Sequence, residues 1–509
     1  MVMRTYGLSG SGMDIDQMVK DLMKARRASY DKVWQKKTQV EWKKQDLNTI
    51  YTLAEDFRNK TLADFKKQTN LSPKQVTSSN ETVASATANA DAANVSHSLI
   101  VQQLADGVKL SSSDSITDTA AGKKKGTLAD QFAGITDTSE FNVMINGKSV
   151  TVKGSMTLNE VVSNINKAGA DVKANYDTTL DRFYLYSNKT GVAATVSFAG
   201  TGSEGLSFLN KLKIDGSETY NGQDAIVNLD GVELKQDSNT FTVSGVTYTL
   251  KATSFIDSDE KPIPTSIGVQ PDIDKTIANV QSFVDSYNSF MALIQKELKE
   301  DKYSDYGPLT DAQKADMKDS EIKAWEEKAK SGTLRRDPIL TQIATNLRAS
   351  FSDSIKGLTG KYQSAIDIGI GTGKYFDDDG KITTEASNGG KIYVDEDDLR
   401  KALEADPDIV YKIFGTPGDT QDSKGVANRL YDQMQASLSR LKTEAGTPNI
   451  TDTKSNMAKS IADYKEQLYD MNSRLAQVEA RYYKQFDAME KALSNLSKQS
   501  AWLSQQLGQ

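Results

Sequence analysis

The hydrophobic and polar positions divide the chain into three stretches of different periodicity. Up to about residue 67, apolar residues recur at helical spacing, seven residues apart from Val33 to Ala54. Between residues 72 and 267 this signal largely disappears, and short runs rich in β-branched residues replace it. From Asp272 onwards helical spacing returns. The pattern predicts two helical ends around a β-rich middle, with the terminal helices together at one pole.

The most regular pattern lies near the C-terminus. From Met457 to Tyr482 apolar residues alternate at steps of four and three, which forms the narrow seam of a coiled coil. The next apolar residue of the series, Phe486, follows a second step of four, a stutter that locally unwinds such a supercoil. A helix does not bury so narrow a seam by itself. The terminal helices therefore need each other or other subunits.

Two hairpins are predicted in the β-rich middle. Asn146-Gly147 and Asp230-Gly231 each separate two β-rich runs, and these pairs favour the two-residue turns that join antiparallel strands. Residues 158–168 are predicted to form a short helix between them.

More helices are predicted in the C-terminal half. Asp337 followed by Pro338 indicates an N-cap with proline in the first turn. Residues 395–414 and 426–445 are predicted as two further helices, the second ended by Gly446.

Composition and charge exclude several chemistries. The 509 residues include no Cys and one His, which excludes disulfides, thiolate metal sites and any site that needs two histidines from one chain. The net charge is −7, yet residues 20–44 carry nine Lys and Arg against three acids. We interpret this basic stretch as a solvated helix face, because no aromatic interleaving typical of a nucleic-acid surface accompanies it. No apolar run approaches the ~18 residues of a membrane span, and residues 1–13 lack the apolar core of a cleaved signal peptide.

The segments that resemble ligand sites either lack the required ligands or have a structural explanation. Residues 377–380 resemble part of a calcium loop, but Tyr375 and Ala386 stand where acidic ligands are required. The acidic run 395–398 is explained by favourable interaction with a helix N-terminus. His97 is predicted as a half-exposed histidine in a strand. We predict no catalytic residue, no metal site and no cofactor.

Several segments resemble the bacterial flagellar filament-capping (FliD, hook-associated protein) family. The segments that carry the resemblance span nearly the whole chain. They are residues 10–16 (GSGMDID), 35–37, 41–42, 142–187, 222–231, 245–250, 307–309, 321–326, 337–338, 481–491 and 500–507.

The resemblance implies a structural assembly protein that is not an enzyme. It implies a homo-oligomeric ring, commonly a pentamer in the family, at the distal end of the flagellar filament, where it promotes ordered insertion of exported flagellin. Flagellin, the hook–filament junction proteins and a cytosolic export chaperone on the C-terminal helix are the implied partners, with host glycans as a further candidate and with neither nucleic acid nor membrane insertion. Export would follow the flagellar type III route without a cleaved signal peptide.

The pattern and the resemblance together predict an α+β, multi-domain fold with terminal coiled-coil helices, a helical leg domain and nested β-rich domains inserted in the middle. Four nested domains are predicted. They are a terminal coiled coil (1–44 and 451–509), a helical leg (45–71 and 272–450), a β-rich plate (72–115 and 221–271) and a β-rich tip (116–220).

The predicted assembly residues are the apolar and tryptophan positions of the terminal helices. They are Val33, Trp34, Val40, Trp42, Leu47, Ile461, Tyr464, Leu468, Met471, Leu475, Val478, Tyr482, Phe486, Met489, Leu493, Leu496, Trp502 and Leu503. Three alternatives to a filament cap remain open: another axial flagellar protein, such as flagellin or a hook–filament junction protein; a surface adhesin at the flagellar tip; and a hydrolase with paired carboxylates.

Overall fold

The computed structural model describes residues 14–117, 126–372, 390–448 and 451–507. The helices are α1 Ile15–Asp56, α2 Ala63–Phe65, α3 Gln68–Leu71, α4 Leu128–Gln131, α5 Leu158–Lys167, α6 Ser203–Lys211, α7 Ile273–Lys299, α8 Asp311–Ala315, α9 Asp319–Lys330, α10 Pro338–Ser352, α11 Glu396–Ala405, α12 Val426–Ala445 and α13 Asn456–Leu507. The strands are β1 Lys74–Ser78, β2 Ala84–Ala88, β3 Ser96–Gln103, β4 Lys109–Ser111, β5 Glu140–Ile145, β6 Lys148–Lys153, β7 Val172–Asp177, β8 Arg182–Ser187, β9 Thr195–Ser197, β10 Thr219–Asn221, β11 Ala225–Leu229, β12 Val232–Gln236, β13 Thr240–Val243, β14 Val246–Leu250, β15 Thr265–Pro271, β16 Ile370–Gly371 and β17 Tyr393–Val394. This content confirms the predicted α+β class with long terminal helices.

The chain forms two compact units. The first contains the described residues up to Leu71 and from Ile273 onwards, and the second is Ser72–Asp272. The first is helical around one large hydrophobic core, and the second is β-rich around two smaller cores. Within the described parts of the chain, no helix is long and apolar enough to cross a membrane.

Helix starts in the first unit follow the local sequence closely. The Asp14 carboxylate accepts a hydrogen bond from the Gln17 backbone N–H at 2.9 Å, which caps α1. The Asp337 carboxylate accepts bonds from Ile339 N and Leu340 N, so α10 begins at Pro338 as predicted. The predicted helix 426–445 is α12, residue for residue.

The prediction of one helix over residues 395–414 is wrong. Asp395 does cap α11 by accepting from Asp398 N, but the helix ends at Ala405. Pro407 is the reason, because its ring disfavours the α conformation of the preceding residue. Asp406 is extended accordingly, with φ −147° and ψ 99°. The chain then resumes in a π-helical turn, Tyr411–Gly415.

A second π-helical turn, Phe57–Leu62, follows α1 directly. It leads into α2, whose Phe65 ring stacks on Phe283 of α7 with centroids 4.0 Å apart. The rings of Phe351 on α10 and of Phe414 also pack around Phe283, with ring centroids 6.5 and 6.3 Å from that of Phe283. This aromatic cluster joins the N-terminal segment to three later elements of the first unit.

Both predicted hairpins of the second unit are confirmed. β5 and β6 pair across Asn146 and Gly147, which have φ of 49° and 74°, and β11 and β12 pair across Asp230 and Gly231, at 52° and 87°. Positive φ at both central residues defines the turn whose twist matches that of the strands. β11 and β12 belong to a sheet of order β1-β15-β3-β11-β12.

The sequence does not predict two helices of the second unit, the short α4 and the longer α6. α6 lies in the stretch where the helical signal disappears, and its N-cap is Gly202, which offers no capping side chain. Packing specifies it instead, since Phe208 and Leu209 are almost completely buried in the core around β5–β9. Gly205 allows the close approach of α6 to Asn142 of β5, because a Cβ there would overlap the Asn142 carbonyl oxygen.

His97 lies in β3 as predicted, with Nδ1 2.6 Å from an Asp230 carboxylate oxygen. The Ser98 backbone N–H also donates to Asp230, and these bonds lower the pKa of that carboxyl. These two hydrogen bonds connect β3 to the β11–β12 turn. The calcium-like segment 377–380 and the first residues of the N-terminal motif, 10–13, lie outside the described residues.

Candidate functional site

The two terminal helices pair antiparallel within one chain. At one end of the pair the Lys44 ammonium of α1 lies 2.7 Å from the Asp452 carboxylate, just before α13 begins. Further along, Arg26 Nε of α1 donates to the Tyr482 hydroxyl of α13 at 3.4 Å. The two contacts show that α13 runs back along α1 towards the N-terminus.

The α13 seam faces this pairing as far as the stutter. Its half-buried or buried positions recur at steps of four and three while the residues between them are exposed. These predicted assembly residues are Ile461, Tyr464, Leu468, Met471, Leu475, Val478 and Tyr482. On α1, Val33, Trp34, Val40 and Trp42 are half-buried, and Leu47 is fully buried in the core of the first unit. The structure thus brings this part of the predicted set together inside one chain.

Trp42 also contacts a different part of the same chain. Lys330 at the end of α9 places its ammonium 5.3 Å from the centre of the Trp42 ring. Gln35 on α1 donates to the Pro308 carbonyl at 2.9 Å. The segment between α7 and α10 therefore covers one side of α1, and a role for Trp42 between subunits stays a prediction.

Beyond the stutter the apolar series leaves the paired face. The half-buried positions now include Phe486, Glu490 and Ser494 at steps of four, with Tyr483 and Asp487 beside them. Met489 and Leu493, which resume the apolar series, are each 38% exposed. The stutter explains the change. The extra step of four turns the apolar residues that follow it to a different side of the helix from the apolar residues before it.

Exposed apolar residues collect at this end of the helix pair. Taking the Arg26–Tyr482 contact as a reference, Ile15 lies level with about residue 493, so about the last four turns of α13 extend past the described part of α1. We call the exposed set the terminal apolar patch. It consists of Met18, Leu22, Met489, Leu493, Leu496, Trp502 and Leu503, which are 38–60% exposed.

Lys44 and Asp452 form a joint that ties the segment just before α13 to α1. Burial raises the pKa of the Asp452 carboxyl, but bonds from Lys44, the Ser455 hydroxyl and the Ser455 and Lys454 backbone amides outweigh it and hold the pKa well below its ordinary value. The Ser455 hydroxyl in turn accepts from Ala458 N in the first turn of α13. Sequence reasoning missed this joint because its partners are 408 residues apart.

Replacing Asp452 by Asn is expected to destabilise the joint by about 1–2 kcal/mol at pH 7, since the bond to the ammonium loses its charge. A carboxyl with a lowered folded-state pKa stabilises the protein above its ordinary pKa of about 3.9 and loses this contribution as the pH falls further. Thermal unfolding followed by circular dichroism should therefore show a gap between the Asp452→Asn variant and the parent that narrows below about pH 4. Asp463→Asn, an exposed acid on α13, is the matched control, and a gap independent of pH would contradict this account.

No group of three or more His, Asp or Glu side chains is placed to hold a metal ion within the ranges that the structure describes. The candidate site is the terminal helix pair with its patch, where large apolar side chains remain exposed.

Comparison with known proteins identifies the family of the chain. Family models described as the C-terminus and the N-terminus of flagellar hook-associated protein 2 match residues 222–498 and 11–107. The flagellar hook-associated protein 2 of Halalkalibacterium halodurans is 28% identical over 554 residues, covering 99% of each chain. The protein of that name from Escherichia coli K12 is 23% identical and covers 98% of this chain and 96% of its own length.

A solved structure also shares the fold. The crystal structure of the D1-D2-D3 domains of the flagellar cap protein FliD from Escherichia coli matches with a TM-score of 0.51 at 19% identity. It covers 82% of this chain and 99% of the solved chain. Because one family model alone accounts for more than half of the residues, the chain belongs to the flagellar hook-associated protein 2 family.

Proposed function

We propose that this protein is the flagellar filament cap, which associates with itself at the distal end of the filament and promotes the ordered insertion of exported flagellin. Membership of the hook-associated protein 2 family supports the role. The likeness to a solved flagellar cap protein supports the fold that the role requires. The role is one of assembly, without catalysis.

The terminal apolar patch is the single observation that best supports an assembly role. Fully burying one large apolar side chain contributes about 1.5–3 kcal/mol, and the patch leaves seven such side chains partly in water. Apolar surface of this kind on a soluble protein marks a contact with another molecule. We assign the patch to contacts with other copies of the chain and with filament subunits.

The finer features of the role are part of the same proposal. The partners are further copies in a ring, flagellin, the hook–filament junction proteins and an export chaperone on α13, and export follows the flagellar type III route without a cleaved signal. The four nested domains and the eighteen assembly residues named from the sequence belong to it as well. Glycan binding at the β-rich tip is a separate proposal that these features neither require nor contradict.

A deletion strain tests the role directly. Loss of the gene should leave short or absent filaments and release flagellin into the medium, because subunits would leave the channel without being guided into place. Expression of the full chain from a plasmid should restore both filament length and swimming. Normal filaments in the deletion strain would contradict the proposal. Purified chain that forms filaments rather than rings would instead favour another axial flagellar protein.

A further inference from the structure

The negative charge of the protein is concentrated in the second unit. Residues 72–272 contain 16 Lys and Arg against 23 Asp and Glu, a net charge of −7, whereas the remainder of the chain is neutral. Copies of this unit that stand side by side repel one another. A close contact between them therefore needs cations of one copy set against carboxylates of the next.

A pocket with unpaired negative charge lies between β5 and α6. The cavity has a volume of about 460 Å³ and is lined by Glu140, Phe141, Glu204 and Phe208 among others. The two phenylalanine rings stand 5.3 Å apart. Lys153 pairs with Glu140 at 3.1 Å, but among the described residues Glu204 has neither an ion pair nor a hydrogen bond from a side chain. We call this site the acidic pocket.

The cation at the rim of the pocket is already engaged. Lys211 at the end of α6 donates to the Ala133 carbonyl at 2.6 Å and so is held away from Glu204, although its ammonium keeps its charge. Glu204 therefore stands beside aromatic rings with its charge available to an incoming cation. Carboxylates and aromatic faces both attract ammonium groups, so the site suits a lysine side chain.

A complementary surface lies on the outer face of the sheet β4-β8-β7. Tyr184 and Tyr186 of β8 point to the same face, with their rings 6.1 Å apart and 10° from parallel. Lys173 of β7 lies directly opposite Tyr186 in the register and is exposed. Lys109 of β4 lies opposite Tyr186 on the other neighbouring strand, and its ammonium forms an ion pair with the Asp106 carboxylate at 2.7 Å. Lys173 has no ion pair among the described residues. We call Lys173, Tyr184 and Tyr186 the tyrosine face.

The pocket and the tyrosine face lie on opposite sides of one hydrophobic core. Phe183 and Leu185 alternate with the two tyrosines along β8 and point inward, where they share the core with Phe208 of α6. The two surfaces of one chain therefore do not meet each other. Two different, complementary surfaces on opposite sides of a domain produce a head-to-tail contact, which closes into a ring if the rotation between copies allows it.

We propose that the tyrosine face of one copy docks on the acidic pocket of the next, with Lys173 paired to Glu204. The inference rests on the proposed ring-forming cap and names the contact between its β-rich units. Electrostatic pairing offsets the repulsion between like-charged units, and the tyrosine rings cover the half-buried Phe141 at the pocket. The contact weakens as salt rises, because exposed charge pairs are screened.

Charge exchange in the full chain tests the contact. Glu204→Lys or Lys173→Glu should each raise the concentration for half-maximal assembly about ten-fold or more, because each sets like charges against one another. The double variant Glu204→Lys with Lys173→Glu should restore assembly, since it exchanges the partners and keeps the pair. Sedimentation velocity measures the assembly, and circular dichroism checks that each variant is folded. Glu233→Lys, an exposed acid on β12, is the matched control and should leave assembly little changed.

A covalent readout uses the absence of native cysteine. Glu204→Cys combined with Lys173→Cys should form covalent oligomers with a short bis-maleimide cross-linker, which spans the gap between the Cβ atoms of a lysine–glutamate pair that a disulfide is too short to bridge, whereas either single variant should form at most dimers. Assembly of both single charge variants at the parent concentration, or failure of the exchanged pair to restore it, would overturn the proposed contact. The cap role would stand in that case, because complementation of the deletion strain tests it independently.

Discussion

Replacing Leu493 and Leu496 together by Asp should abolish filament growth while leaving the protein folded. Both side chains belong to the terminal apolar patch, and they are 38% and 60% exposed, so they contribute little to the packing of the single chain. Aspartate in a helix interior costs about 0.7 kcal/mol per residue, which a helix of 52 residues tolerates. Burial of the still exposed part of the two leucines at a contact contributes about 1.5–3 kcal/mol, and two carboxylates placed there would be desolvated without partners.

The expected phenotype matches that of the deletion strain. Cells that carry only the double variant should release flagellin into the medium and fail to swim, while the purified variant keeps the circular dichroism spectrum of the parent. The control places the same two charges on the same turns at polar positions, Asn495→Asp with Gln499→Asp, and should support swimming. Swimming by the leucine variant would show that the patch is not an assembly surface. Loss of swimming by the control as well would show that charge alone is responsible.

The sequence predicted those elements whose determinants are local. Both hairpins follow from two-residue turns that need positive φ, and Asp337 with Pro338 defines the start of α10. The end of α11 is local as well, because Pro407 ends the helix although helical spacing continues on either side of it. The missed helix α6 lacks a capping side chain and depends on burial in its core.

The candidate site could be predicted only in part, for a similar reason. Periodicity located the seams of the terminal helices and the stutter in the second of them. Periodicity did not show which apolar residues of α13 are covered by α1. After Tyr482 the apolar residues turn away from α1, and this depends on how the two helices are aligned in the fold. The ion pair between Lys44 and Asp452 could not be predicted, because only the fold brings the two residues together. The acidic pocket likewise combines β5 with α6, which are distant in the sequence.

Replacing Phe283 by Ala should destabilise the first unit by about 3–5 kcal/mol. The ring is 3% exposed and lies at the centre of the aromatic cluster, stacked on Phe65 and flanked by Phe351 and Phe414. Its loss opens a cavity between α7 and three other elements, and the rigid neighbouring rings cannot close it. Chemical denaturation of the full chain, followed by helical circular dichroism, gives the free energy of unfolding of this unit.

A matched control separates burial from the chemistry of the aromatic ring. Phe255 is 58% exposed, so Phe255→Ala removes the same atoms and should change the stability of the chain by less than about 0.5 kcal/mol. The milder Phe283→Leu variant keeps most of the volume and should fall between the two. A loss below about 1 kcal/mol for Phe283→Ala would mean that the cluster relaxes around the gap. The N-terminal segment would then be held to the first unit mainly by α1 and its pairing with α12 and α13, rather than by the stacked rings.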